Sequence, residues 1–175
     1  MSLARFGWSG VTVAFFATMG FAETSSSSLY SYKHWEVEFV TFDDGSVACL
    51  AEVDATTDSF TLWVYPDTSV RLQFYSTSWD FGDTGETANL GVQIDRREGW
   101  TLNEAELYLN SVLFTLPDND VAVDFLLEVA QGNRLFLRSD TGEDVMNYSL
   151  SGSKASMNAL IECANTISAD GNPFN

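Results

Sequence analysis

From Trp35 onward the chain alternates apolar and polar positions with a period of two. Trp35, Val37 and Phe39 are interleaved with Glu36 and Glu38, and Asp43-Asp44-Gly45-Ser46 then breaks the run. That is the pattern of a half-buried strand ending in a turn, and Val47–Val53 follows as a second strand. Residues 59–75 form the clearest hairpin. Pairing Tyr65 with Ser69 across Pro66-Asp67-Thr68 sets Val64 against Val70, Leu62 against Leu72 and Phe60 against Phe74. One register satisfies all three apolar pairs, and a slip of one residue would turn them to the wrong face. The opposite face then carries Thr61, Trp63 and Tyr65 against Gln73, Arg71 and Ser69, with Trp63 placed for a cation–π contact with Arg71.

Asp80–Thr87 reads as a polar, glycine-containing loop. Leu90–Asp95, Trp100–Leu102 and Val112–Leu116 read as short strands. After Pro117 the period changes. Ala122, Phe125, Leu126 and Val129 fall at i, i+3, i+4 and i+7, with Asp120 as the expected N-cap and Gly132 as the stop. Val121, Val123, Phe125, Leu127 and Val129 also alternate as a strand would, but the caps favour a helix. Arg134–Arg138 and Val145–Leu150 flank the turn Asp140-Thr141-Gly142-Glu143. Ser151-Gly152-Ser153 opens a final helix to about Ala164, with Met157, Leu160, Ile161 and Ala164 as its apolar stripe and Cys163 at the edge of that stripe. The expected fold is mainly β, an antiparallel sandwich or incomplete barrel with two helices in the C-terminal third.

The segment before Trp35 has a different character. Met1–Arg5 carries one positive charge, a short apolar stretch follows, and Gly20-Phe21-Ala22 supplies small residues at a cleavage site. This order is that of a secretory signal, and the apolar stretch is shorter than the roughly 20 residues a spanning helix requires; an uncleaved anchor is the alternative. Residues 1–22 are therefore expected to be a signal peptide, 23–34 with Ser25-Ser26-Ser27-Ser28 a flexible leader, 35–167 one domain and 168–175 a tail. Export implies a periplasmic or secreted protein, with no stable membrane insertion after cleavage.

Export changes the meaning of the two cysteines. Cys49 and Cys163 are the only pair, and in an oxidising compartment they are expected to form a disulfide joining the last helix to the second strand; two separate buried thiols are the alternative. Two cysteines and one histidine do not make a Cys/His zinc site. Eight basic residues against 25 acidic ones give a net charge of -17. Nucleic acid and anionic lipid are excluded as partners by that balance, since both require a basic surface. A basic protein is the partner it would suit, with solubility as the plainer account of the charge.

Motifs for catalysis are weak. Asp83-Thr84-Gly85 and Asp140-Thr141-Gly142 repeat the aspartic-protease triplet, but they follow Gly82 and Ser139 rather than an apolar strand, and Asp, Thr and Gly are ordinary turn residues. Ser151-Gly152-Ser153-Lys154 matches Ser-x-x-Lys without the companion motifs of penicillin-recognising enzymes, and a serine there is expected to cap the helix. His34, the one histidine, sits at a strand start. Acid clusters at Asp80/Asp83/Glu86 and Asp118/Asp120/Asp124 lack the EF-hand order. The expectation is a non-enzymatic protein with no metal and no cofactor. Trp63, Tyr65 and Tyr75 share the outer face of the 59–75 hairpin and form a candidate binding face.

The last third carries a recognisable order: Phe125-Leu126-Leu127, Gln131-Gly132-Asn133, the strand Arg134-Leu135-Phe136-Leu137, a turn, then Tyr148-Ser149-Leu150-Ser151-Gly152 leading into Ala155–Leu160. With Trp35-Glu36-Val37 at the front, this resembles the invasion-associated locus B family of small exported bacterial envelope proteins. The resemblance covers the first strand and residues 121–164. It implies a β-rich fold and export, and it brings no catalytic residue with it. The function expected is binding or envelope association, with an acidic inhibitor or immunity-type protein for a basic cell-wall hydrolase as the alternative.

Overall fold

The computed structural model describes residues 24–168, so the expected signal segment and the tail beyond Ser168 lie outside them. Ten strands and two helices follow in order: β1 Ser25–Tyr32, β2 Trp35–Thr41, β3 Val47–Ala55, β4 Asp58–Val64, β5 Val70–Ser76, β6 Thr87–Ile94, β7 Trp100–Tyr108, β8 Ser111–Thr115, α1 Asn119–Gln131, β9 Arg134–Ser139, β10 Asp144–Ser149 and α2 Ser153–Ile167. The strands form one antiparallel sheet in the order β1-β2-β3-β4-β5-β8-β7-β6-β9-β10. The sheet curls until β10 returns to β3. Tyr148 on β10 then lies 6.0 Å from the ring of Phe60 and 6.3 Å from that of Phe74. The result is an incomplete barrel whose inner face is its core.

The hairpin register is the one the apolar pairs dictate: Phe60↔Phe74, Leu62↔Leu72 and Val64↔Val70, with the Tyr65 amide donating to the Ser69 carbonyl at 3.1 Å. All six apolar partners are buried. The same inner face continues onto β3, where Cys49, Ala51 and Val53 pair with Val64, Leu62 and Phe60. Helix α2 lies over β2 and β3 and is bonded to the sheet through the Cys49–Cys163 disulfide, with a Cα separation of 6.0 Å. Met157 and Leu160 bury beside it, whereas Ile161, expected on that stripe, is exposed. Helix α1 packs on α2 and presents Phe125 edge-on to Trp100 on β7, ring centres 5.4 Å apart.

Several local expectations are corrected. Residues 25–32 are no flexible leader within this fold: they form β1, paired from Ser25↔Thr41 to Tyr32↔Trp35. The serines gain order through backbone bonds to the open edge of β2, a contribution that side-chain composition does not reveal. Strand β7 runs on to Tyr108, well past Leu102. Leu102 and Ala105 are both buried although three residues apart, because Glu104 takes a left-handed φ of 56° and forms a bulge, its amide bonded to Asn89. The bulge breaks the period of two and hides the strand from pattern reading.

Cap positions shift as well. The α1 N-cap is Asp118, whose carboxylate accepts from the Val121 amide at 2.9 Å, and Asp120 sits in the first turn instead. Gly132 does end α1, where a Cβ would lie 2.4 Å from Ile94 Cγ2. Helix α2 has no side-chain cap. Gly152 at φ 106° precedes it, and Ser153 donates to the Val129 carbonyl at 2.7 Å, tying the start of α2 to the end of α1.

Asp95, in the β6–β7 turn, ties that turn to the α1–β9 junction by accepting from the amides of Asn133 and Arg134. Burial acts to raise its pKa, but the bonds from Asn133 and Arg134 and the charge of Arg97 outweigh it, so the net shift is downward. A carboxylate held below its unfolded pKa stabilises the fold above that value, and the contribution is lost as pH falls through the folded pKa. Asp95→Ala is expected to cost roughly 1–2 kcal/mol near neutrality, discounted for solvent exposure, and the gap to wild type should narrow on acidification below about pH 4. Urea titrations of both proteins across that range check it.

Candidate functional site

Strand register lays the outer face of the sheet out as a grid. Tyr75 on β5 pairs with Ser111 on β8, which pairs with Tyr108 on β7. One row along, Thr61 on β4, Gln73, Leu113 and Glu106 lie side by side, and in the next row Trp63 stands against Arg71 and Thr115. Alternation puts each of these side chains on the face opposite the core. Phe42, from the β2–β3 turn, closes one flank by packing on Trp63 at 6.1 Å, and Leu109 and Asn110 of the β7–β8 turn close the other. Between them lies an open groove of about 380 Å³ lined by Trp63, Tyr65 and Tyr75 together with Tyr108. The three aromatic residues that the sequence singles out therefore share one site.

The floor of the groove is polar and internally bonded. The Trp63 indole donates to Gln73 at 2.8 Å, and the Gln73 amide donates to Ser111 at 3.0 Å. Arg71 pairs with Glu106 at 2.5 Å. The cation–π contact expected between Trp63 and Arg71 is displaced by these bonds, because the guanidinium turns to a carboxylate two strands away and the indole N–H to an amide oxygen. Each partner thereby gains a directed hydrogen bond, and the Arg71 bond is charge-assisted. Arg71 is the one charged side chain among the groove's lining residues, and its charge is matched by Glu106. In a chain of net charge -17 the groove is locally neutral.

Sequence reading passed over Tyr108, Gln73, Ser111 and Phe42 as site residues. Phe42 and Gln73 were within reach, since both continue the outer-face alternation. Tyr108 was not, because the bulge at Glu104 shifts its phase.

The residues weighed for catalysis lie elsewhere. Asp83 sits between Gly82 and Gly85, both left-handed, in an exposed loop, and Asp140 begins the exposed β9–β10 turn. Lys33 Nζ donates to Ser151 Oγ at 2.6 Å, in a solvent-exposed pair that does not involve Lys154. His34 is exposed in the β1–β2 turn, where its carbonyl accepts from the Asp54 amide. Among the described residues no group of three or more His, Cys, Asp or Glu side chains is arranged to hold a metal ion. No helix among them is long and apolar enough to cross a membrane.

Comparison with family models, with curated proteins and with solved structures returns no match to this chain.

Proposed function

We propose that this chain is an exported, non-enzymatic binding protein of the bacterial periplasm or envelope, and that its contact surface is the outer groove. The observation that carries the reading is the convergence of Trp63, Tyr65 and Tyr75 with Tyr108 over a hydrogen-bonded polar floor. Partly exposed aromatic rings with a few fixed polar groups are the usual make-up of ligand sites, and the volume falls within the range of about 300–1,000 Å³ typical of them. The disulfide and the signal-like segment 1–22 support an oxidising, extracytoplasmic location, and the resemblance to the invasion-associated locus B family points to the cell envelope.

A second reading has its own observation. Glu36 on β2 faces Glu52 on β3 directly, with Glu38 on the same face. Like charges placed opposite each other are destabilising, and such a row suits a cationic protein, as an acidic inhibitor or immunity-type protein for a basic cell-wall hydrolase would require.

Salt separates the two. Retention of the pure protein on isolated bacterial envelopes is expected to persist in 1 M salt, where the screening length is only about 3 Å, and to be lost in Trp63→Ala. Retention that vanishes with salt and survives Trp63→Ala would favour the acidic surface instead.

A further inference from the structure

We infer that the groove takes an oligosaccharide of β-1,4-linked pyranose units; this deepens the binding-protein reading and rests on it. The argument starts from the row Tyr75–Ser111–Tyr108. Two tyrosines stand two strands apart with a serine between them, so their backbones are separated by about 9.5 Å and the residue between adds almost no height. Neither ring is packed on another aromatic ring among the described residues, and Tyr108 is 43% exposed. Both tyrosines line the groove, one from each side of Ser111. A flat ring held between two apolar surfaces at carbon contact distance needs roughly 7–8 Å, which a two-strand spacing accommodates.

The floor of the groove decides what kind of ring fits. Ser111, Gln73 and Arg71, the last held by Glu106, surround the apolar Leu113 there. An aromatic ligand would offer nothing to the capacity these bonds leave over, notably the buried Arg71 Nε, which has no partner among the described residues. A cationic ligand would meet Arg71, the lining charge, and gain nothing from the paired Glu106. A pyranose whose substituents are all equatorial has the complementary surface. Both its faces are C–H and apolar, and its hydroxyls point outward at the rim, where planar amide, guanidinium and carboxylate groups accept or donate pairs of hydrogen bonds. Trp63, two rows beyond the tyrosine row and packed on Phe42, supplies a further flat platform for a neighbouring sugar unit. The groove opens to solvent rather than forming an enclosed cavity, as a chain ligand needs.

The test uses the mature protein with three glycan probes: chito-oligosaccharides, cello-oligosaccharides and isolated peptidoglycan sacculi. Poly-lysine serves as a cationic comparison. Binding is followed by tryptophan fluorescence for the soluble probes and by co-sedimentation for the sacculi. Saturable binding to at least one glycan is expected, unchanged in 1 M salt. Tyr108→Ala and Tyr75→Ala should each weaken it about tenfold, Tyr108→Phe, which keeps the ring, should restore it, and Glu36→Gln, outside the groove, should leave it unaltered. The three probes distinguish a cell-wall glycan from an external glucan. Failure of all three to bind overturns the saccharide inference. Poly-lysine binding weakened by Tyr108→Ala would overturn it too while leaving the groove as a ligand site. Glycan binding indifferent to Tyr75, Tyr108 and Trp63 substitutions would overturn both.

Discussion

Removing the Cys49–Cys163 disulfide is expected to lower the stability of the fold by about 5 kcal/mol. The bond closes a loop with a sequence separation of 114 residues, and the chain-entropy relation assigns that much to the freedom regained by the unfolded chain. The folded state is affected little by comparison. Cys49 lies on β3 and Cys163 on α2, both buried, where Met157, Leu160 and the Ser153–Val129 hydrogen bond still hold the helix. Urea denaturation of the oxidised protein against a Cys49→Ala/Cys163→Ala double variant measures it. A larger m-value should accompany the loss, because the reduced unfolded chain is less compact. A change below about 1 kcal/mol would mean that the entropic account does not apply to this loop. The unfolded oxidised protein should also show no reaction with a thiol reagent, since both cysteines are in the disulfide.

Phe60→Ala is expected to cost about 3–5 kcal/mol. Phe60 is wholly buried at the point where the curled sheet meets itself. Its ring stacks on Phe74 at 5.0 Å, meets Trp35 edge-on at 6.5 Å and faces Tyr148 at 6.0 Å. Truncation leaves a cavity between β4 and β10 that rigid neighbouring strands cannot fill. Tyr148→Phe is the matched comparison. Burial first, then the charge of Asp58, pushes the Tyr148 phenol above its ordinary range, and its hydroxyl donates only to the Met146 sulfur. Loss of that hydroxyl should change stability by less than about 1 kcal/mol. Thermal melts with near-UV circular dichroism report both variants. Equal losses from Phe60→Ala and Tyr148→Phe would show that hydrogen bonding, and not ring packing, closes the barrel.

How much of the candidate site is legible depends on where the alternation survives. Trp63, Tyr65 and Tyr75 could be placed on one face because the β4–β5 hairpin has an unbroken period of two and a turn of fixed length. Arg71 could be placed beside Trp63 but not paired, since its partner Glu106 is reached only across β8. Tyr108 could not be placed at all. The left-handed Glu104 inserts an extra residue, and everything beyond it changes face.

Local chemistry by itself determined the hairpin register, the two helices and the strands whose alternation is unbroken, because each follows from spacing or from a turn residue that needs no distant partner. It also determined which cysteines could pair, there being only two. The tertiary structure alone decided that Ser25–Tyr32 becomes an edge strand, since the energy of that strand lies in backbone bonds to β2 and not in its own side chains. It alone decided that β5 lies against β8, and β6 against β9, through pairings between strands distant in sequence. The groove follows from those pairings. Its two facing-strand tyrosines, Tyr75 and Tyr108, come from β5 and β7, strands separated in the chain, and they share a face because a single sheet curls around one apolar core and carries its outer face with it.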